Sequence, residues 1–298
     1  MRRNVNSVTL VCTLALLLAI FYSSLFTTGC GSTTETTTTT SSTTTTTQRI
    51  RLYYTIPSPP DYTAQQFCSA VSSDGINFST EAGTRLADSY LSDPDVIKLG
   101  ANNWSMFYSK AFSTDPLINT HLYRASARDP KATFEADASF SDLNLGSVSS
   151  SIMIGSTPYL YLVYNGVIRI TTYSAATDSL TFVAVATSGG ASEPTVIRLT
   201  DGTYKMYYKV SSDTYQANST DGLVWDIGSK LYTYAKTPGA ICINGKIYLY
   251  YVNTNTSDVN NGKIMVVISS NNGATFGTAT VVNGLQTSAC DPYPVAYE

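Results

Sequence analysis

A strand pair that opens with a carboxylate and a proline occurs twice in this chain with the same internal spacing. Asp93-Pro94 begins an apolar segment that is followed by a Gly/Asn turn and the aromatic segment 104–108. Glu193-Pro194 begins a second such segment, followed by an Asp-Gly turn and the segment 204–208, with identical offsets. Apolar and aromatic residues bounded by such turns are typical of β-hairpins. The two segments are therefore predicted to be copies of one structural unit.

Three further copies extend this unit into a repeat. Weaker copies begin near Ser149 or Ser150 and near Gly239, and another begins at Asp291. The resulting period of about 50 residues is typical of propeller blades. We therefore predict an all-β fold, a five-bladed β-propeller over residues 49–298.

The last copy contributes one strand and needs a partner from elsewhere in the domain. The segment 51–56 has the matching apolar and aromatic character. Pairing of the N-terminal and C-terminal strands would close the ring and leave no sheet edge exposed there. No part of the domain has a sustained helical period, and its 22 tyrosines suit half-buried strands.

Residues 1–30 have the composition of an export segment. Two arginines are followed by an apolar run over residues 8–26 and then by Gly29-Cys30. This end resembles a bacterial lipoprotein signal, which implies that Cys30 is the lipid-modified residue. Thr27 departs from that pattern, because leucine is expected there. An uncleaved membrane anchor and an ordinary secreted form remain alternatives, since the apolar run is long enough to span a bilayer.

Residues 31–48 are almost entirely threonine and serine, which cannot form a core. This segment is predicted to be a disordered tether. We therefore expect an exported protein that is lipid-anchored to a bacterial membrane or cell surface, or secreted. A membrane contact is expected only through the N-terminal anchor.

Charge and composition exclude several classes of function. The net charge of −3 gives no basic surface for nucleic acid. His121 is the only histidine, which argues against histidine-dependent triads and zinc sites. Cys68, Cys242 and Cys290 allow at most one disulfide within the domain. We expect a monomer.

Three sequence-distant acids are predicted to share one cavity. The innermost strand of each propeller blade starts near the central funnel, so Asp93, Glu193 and Asp291 should all face it. Glycoside hydrolysis needs two carboxyl groups across a sugar bond, one protonated and one ionised. The pattern therefore favours chemistry on an oligosaccharide or polysaccharide.

At these residues the chain resembles glycoside hydrolase family 43 and the related arabinanase, xylosidase and invertase propellers. The resemblance implies Asp291 as general base, Glu193 as proton donor and Asp93 as a group that orients substrate or tunes Glu193. It also implies that a supporting aspartate of the family is replaced by Ser149 or Ser150. A competing assignment with Asp93 as base places Glu193 one blade too early.

Other residues near the axis are candidate substrate ligands. Asp95 and Ser150 follow two strand openings, and Tyr293 and Trp104 offer flat faces on which a sugar ring can stack. Each aromatic residue also fits ordinary strand packing. The family resemblance allows calcium near the axis, but the sequence has no contiguous calcium loop and requires no cofactor.

Three turns resemble the Asp-box of sialidases, at residues 72–78, 219–225 and 269–276. Their small polar side chains are expected to bond backbone amides, while the aromatic residue packs between outer strands. Sialidase chemistry needs an arginine cluster at the axis, and no predicted strand opening carries one. The turns are therefore interpreted as structural.

A carboxylate before proline can also simply accept backbone hydrogen bonds at a strand start. This keeps a different class of function open. The alternative to a glycosidase is a non-catalytic carbohydrate-binding protein or a surface module that holds a protein partner.

Overall fold

The computed structural model describes residues 48–57, 64–111, 120–138, 140, 146–187, 189–226 and 228–297. The predicted export segment, with Cys30, and the tether up to residue 47 lie outside these residues. In the described part of the chain, no helix has the length and apolar character needed to cross a membrane.

The strands form five antiparallel sheets, each of which is one blade. Blade 1 contains β1 (Arg49–Ile56), β2 (Gln65–Ser72), β3 (Ser79–Thr80) and β4 (Leu86–Asp88). Blade 2 contains β5 (Leu91–Gly100), β6 (Asn103–Ala111), β7 (Thr120–Ala127) and β8 (Glu135–Ala136). Blade 3 contains β9 (Ser147–Ile154), β10 (Thr157–Tyr164), β11 (Val167–Ser174) and β12 (Ser179–Val185).

Blade 4 contains β13 (Ala191–Arg198), β14 (Tyr204–Val210), β15 (Asp213–Ser219) and β16 (Ser229–Tyr232). Blade 5 contains β17 (Ala235–Ile243), β18 (Lys246–Asn253), β19 (Ile264–Ser269) and β20 (Thr280–Val281). The last strand, β21 (Cys290–Tyr297), pairs with β1 and becomes the innermost strand of blade 1. This confirms the five-bladed propeller and its closure by the two ends of the domain.

The apolar core lies between the blades. Five clusters of buried residues fill the five junctions between neighbouring sheets. For example, Tyr250 of blade 5 packs with Ile50 of blade 1, and Met106 of blade 2 packs with Tyr53 of blade 1. The abundant tyrosines therefore serve mainly as core residues, which suits their large apolar rings.

Every innermost strand has a β-bulge at the same position, and the bulged residue has a positive φ. The five residues and their φ angles are Asp93 (56°), Val148 (51°), Glu193 (50°), Thr237 (48°) and Asp291 (49°). Proline follows all of them except Val148. A left-handed conformation is costly for such residues, and bulges redirect side chains, often beside functional sites.

The bulges correct the predicted blade openings in blades 3 and 5. The position equivalent to Asp93 is Val148, and not Ser149 or Ser150. In blade 5 it is Thr237, two residues before Gly239. The sequence prediction was wrong here because the bulge is defined by backbone conformation, which a valine or a threonine does not signal.

Two residues beyond three of the bulges, side chains join one blade to the next. Asp95 accepts a hydrogen bond from the backbone N–H of Ser151, at 3.0 Å. In the same way Val196 donates to Ser150 at 2.9 Å, and Ala240 donates to Thr195 at 3.1 Å. These bonds fix blades 2, 3, 4 and 5 to one another around the axis.

In blade 5, the residue two positions beyond the bulge is Gly239. A Cβ atom added there would lie 1.8 Å from the carbonyl oxygen of Pro292 in blade 1. Only glycine therefore allows β17 and β21 to approach this closely.

The turns at residues 72–78, 219–225 and 269–276 each contact a tyrosine of a neighbouring blade. In the first, Ser72 accepts from the amide of Gly75, and Asp74 accepts from Ile76 at 2.8 Å. The hydroxyl of Tyr250, in blade 5, donates to the Gly75 carbonyl at 3.0 Å. The turn at 219–225 meets Tyr161 of blade 3, and the turn at 269–276 meets Tyr207 of blade 4.

Substituting alanine at the close approach of blades 5 and 1 tests this packing. We expect Gly239→Ala to lower the free energy of unfolding by about 3 kcal/mol or more, because overpacking against backbone cannot be relieved by a rotamer change. Gly100→Ala is the control, since its Cβ would lie 3.6 Å from Asn103, an ordinary contact. Urea unfolding curves that are equal for both variants would contradict the close approach.

Candidate functional site

The five bulges surround one axial pocket. Asp93, Glu193 and Asp291 all line it, together with Val148 and Thr237. The structure therefore brings the three predicted acids together, although they are far apart in sequence. The pocket has a volume of about 30 Å³, which is room for one or two water molecules. A sugar ring would have to lie at its mouth.

Asp93 has a strongly perturbed carboxyl group. Burial raises its pKa, and the negative charges of Asp291 and Glu193 act in the same direction, so that the pKa lies at about 8. The hydroxyl of Ser92 donates to Oδ2 at 2.7 Å. Asp93 therefore retains its proton at neutral pH.

Asp291 lies on the neighbouring blade and interacts directly with the backbone of Asp93. Burial raises the pKa of Asp291, and the charge of Glu193 adds to this, while the N–H of Asp93 donates to its carboxylate. The thiol of Cys290 lies 3.6 Å from Oδ2. Burial also raises the pKa of Cys290, so this thiol stays protonated as a hydrogen-bond donor.

Glu193 is held by two partners. Its Oε1 forms an ion pair with Lys209, and its Oε2 accepts from the backbone N–H of Thr237 at 2.8 Å. Thr237 is the bulged residue of the next blade. Glu193 thus caps the neighbouring bulge, as Asp291 caps that of Asp93.

Blade 3 is the exception in the ring. Val148 occupies the bulge and gives the pocket an apolar wall. Its N–H donates to Ser109 Oγ at 2.8 Å, so the Asp93 carboxyl is not needed as its cap. The sequence prediction of a serine in place of the supporting aspartate is corrected: the equivalent residue is valine.

Of the four predicted substrate ligands, only one lines the axial pocket. Asp95 is fully buried, and its Oδ1 accepts from the Ser151 hydroxyl at 2.6 Å. Ser150 is used in the blade-to-blade hydrogen bond described above, and neither residue lines the axial pocket. Tyr293 does line it. Trp104 is 8% exposed and lies at the opposite end of the hairpin, facing Lys98 across β5 and β6.

Two participants were missed in the sequence. Lys209 pairs with Ser192 in the hairpin of β13 and β14, which places it beside Glu193. The hairpin predicted from the repeat spacing could have identified Lys209, because hairpin register fixes which residues face each other. Thr237 contributes through its backbone, and no side-chain pattern identifies it.

The carboxyl cluster does not fit a calcium ion. The ammonium group of Lys209 forms an ion pair with one oxygen of Glu193, and its positive charge repels a metal cation at this place. Over the described residues, no group of three or more acidic, cysteine or histidine side chains has the arrangement of a metal site. In the same residues Cys68, Cys242 and Cys290 are free thiols.

Comparison with solved structures finds glycoside hydrolases of the same fold. The structure is similar to an exo-β-1,3-galactanase from Phanerochaete chrysosporium, with a TM-score of 0.60, 14% identity and coverage of 78% of this chain and 64% of that one. An endo-1,4-β-xylanase from Bacteroides thetaiotaomicron has a TM-score of 0.55 and 16% identity, covering 78% of this chain and 91% of that one. An arabinanase from Bacillus subtilis has a TM-score of 0.50 and 13% identity, covering 65% and 78%.

These similarities establish the propeller fold that this chain shares with family 43 enzymes. The chain spans 64% of the length of the galactanase, and the identities are too low to carry residue roles. No protein-family model and no curated protein sequence matches the chain.

The raised pKa of Asp93 predicts how stability depends on pH. The unfolded chain releases this proton near pH 4, whereas the folded protein keeps it until about pH 8. The free energy of unfolding therefore falls as pH rises through this window, by up to about 1.4 kcal/mol per pH unit. We expect Asp93→Asn to flatten this slope.

The measurement is chemical denaturation at a series of pH values between 4 and 8. Glu135→Gln is the control, because this glutamate is exposed on the outer strand β8. An unchanged slope in Asp93→Asn would show that Asp93 ionises normally in the folded protein.

Proposed function

We propose that this chain is an exported, glycan-active propeller that hydrolyses glycosidic bonds at the mouth of the axial pocket. The observation that carries the proposal is the convergence of three carboxyl groups from three blades on one pocket, each on a bulged residue with positive φ. Export follows from the predicted signal at residues 1–30. The shared fold with family 43 glycosidases supports a saccharide as the ligand.

The contacts favour roles that differ in part from the sequence-based assignment. Asp93 holds a proton at neutral pH, which suits the general acid that protonates the leaving oxygen. Asp291, whose pKa is also raised, remains the base: in its ionised form it takes a proton from the attacking water, or attacks the anomeric carbon itself. Glu193, paired with Lys209, supplies the negative charge that raises the pKa of both aspartates.

The size of the pocket is consistent with this division of roles. A volume of about 30 Å³ admits the reacting water, and the sugar on which it acts would sit above the bulges. Val148 places an apolar wall beside Asp93. Such a wall limits solvation of the ionised acid and helps it to keep its proton.

A non-catalytic binding protein is the second candidate. Two of the three acids already accept backbone N–H groups of the next blade. In that case the carboxylates stabilise the ring, and the surface holds a saccharide or a protein partner without turnover. This candidate predicts a folded protein that lacks hydrolytic activity.

Hydrolysis of a panel of aryl glycosides and polysaccharides by the full chain separates the two candidates. We expect Asp93→Asn and Asp291→Asn to lower kcat by about 100-fold or more, as is usual for loss of a general acid or base. Glu135→Gln should leave kcat unchanged. Absence of turnover by folded wild-type protein on the whole panel would reject the enzyme.

The pH profile of the same reaction tests the role of Glu193. Its charge raises the pKa of Asp93, so Glu193→Gln should lower that pKa and move the alkaline limb of kcat/KM to lower pH. If Glu193 is instead the proton donor, Glu193→Gln removes the alkaline limb and most of the activity.

A further inference from the structure

A second concave site lies far from the axial acids, between blades 1 and 2. It has a volume of about 480 Å³, within the range of roughly 300–1,000 Å³ that is usual for small-molecule sites. Lys98 lines it and is five residues from Asp93 on the same strand, so the two sites are roughly 15 Å apart. We call this site the blade 1–2 groove.

The blade 1–2 groove is basic, although the protein as a whole has a net charge of −3. Four cationic residues line it, namely Arg51, Lys98, Arg128 and Lys131. Asp129 is the carboxylate among the described lining residues, and its Oδ1 accepts from the backbone N–H of Lys131 at 2.8 Å. The groove therefore offers a surplus of positive charge to a ligand.

One of these cations is rigidly held and the others are at the surface. Arg51 is 1% exposed, its Nε lies 2.8 Å from Glu81 Oε2, and its guanidinium group lies 4.4 Å from the ring centre of Tyr297. Lys98, Arg128 and Lys131 are exposed, and none of the ion pairs found among the described residues involves them. These three are available to an anion.

Aromatic faces stand beside the charges. Tyr297, which is partly exposed, and the buried Trp104 both line the groove, and the Lys98 ammonium lies 5.7 Å from the centre of the Trp104 ring. A partly exposed aromatic ring with adjacent cations suits a ligand that combines a flat apolar ring face with negative groups. A uronic acid residue of a saccharide has both properties.

We propose that the blade 1–2 groove binds carboxylate-bearing oligosaccharides, with sugar carboxylates paired to Arg128, Lys131 and Lys98. An arginine guanidinium binds a carboxylate through two parallel hydrogen bonds, which gives direction as well as affinity. The choice of a saccharide rests on the proposed function, whereas the choice of an anion rests on the groove alone. The groove thereby holds an acidic glycan independently of the axial pocket.

Isothermal titration of the full chain with an oligogalacturonate tests this proposal. We expect saturable binding that weakens with salt, because exposed charge pairs are screened. The fully methyl-esterified oligosaccharide, which has the same rings without the charge, should bind at least tenfold more weakly. Arg128→Gln/Lys131→Gln should also reduce affinity at least tenfold.

Two control variants locate the site. Lys246→Gln removes an exposed lysine from blade 5 and should leave the affinity unchanged. Asp93→Asn alters the axial pocket and should likewise leave it unchanged, even if it abolishes hydrolysis. Thermal unfolding confirms that each variant is folded, and Lys98→Gln gives a second reduction if the double variant is unstable.

Several results would overturn the proposal. These are no binding by wild type, equal binding of the methyl ester, equal affinity of the groove variants, or loss of affinity in Asp93→Asn. Binding to phosphatidylglycerol vesicles or to inorganic sulfate without binding to the oligosaccharide would also reject a saccharide as the ligand. Failure of hydrolysis with intact binding would reject only the enzymatic function.

Discussion

The propeller depends on hydrogen bonds in which four of the inner strands, β5, β9, β13 and β17, donate a backbone N–H to a side chain of the preceding blade. At the bulges Asp291 and Glu193 accept from the next blade. Two residues further along their strands, Asp95, Ser150 and Thr195 also accept a backbone N–H from the next blade. The bonds of Asp95, Ser150 and Thr195 are buried, and a buried N–H without a partner is costly. The ring of inner strands is therefore fixed by satisfaction of its own polar groups as well as by the apolar clusters between blades.

This role of the acids explains why they differ chemically. Asp291 and Glu193 each cap a backbone amide, and Glu193 is also paired with Lys209. Asp93 does not cap the bulge of the next blade, because the backbone N–H of Val148 donates to Ser109 instead. Burial and the charges of its two neighbours then act on Asp93 and favour its protonated form. One ring position with an apolar residue thus leaves Asp93 without an amide to cap, while burial raises the pKa of Asp291 as well.

The sequence predicted the parts of this arrangement that recur as patterns. The two acid-proline repeats have identical offsets, so the blade count, the ring closure and the meeting of three acids followed from spacing alone. Val148 and Thr237 could not be found in this way, since the bulge is a property of φ and not of side-chain type. Trp104 was assigned to the axis, but the hairpin register carries it to the other end of the blade. Local pattern specifies strands, whereas side-chain roles follow from contacts between blades.

The proton on Asp93 is the central claim of this account, and its titration is the most direct test. Carbon-13 NMR of a protein labelled at the aspartate carboxyl carbons, with Asp93→Asn for assignment, measures this group alone. The account predicts that the aspartate signal which disappears in the variant titrates at about pH 8. If every aspartate signal of the folded protein titrates below about pH 5, near the ordinary value for this side chain, Asp93 is ionised at neutral pH and the assignment of the general acid is wrong.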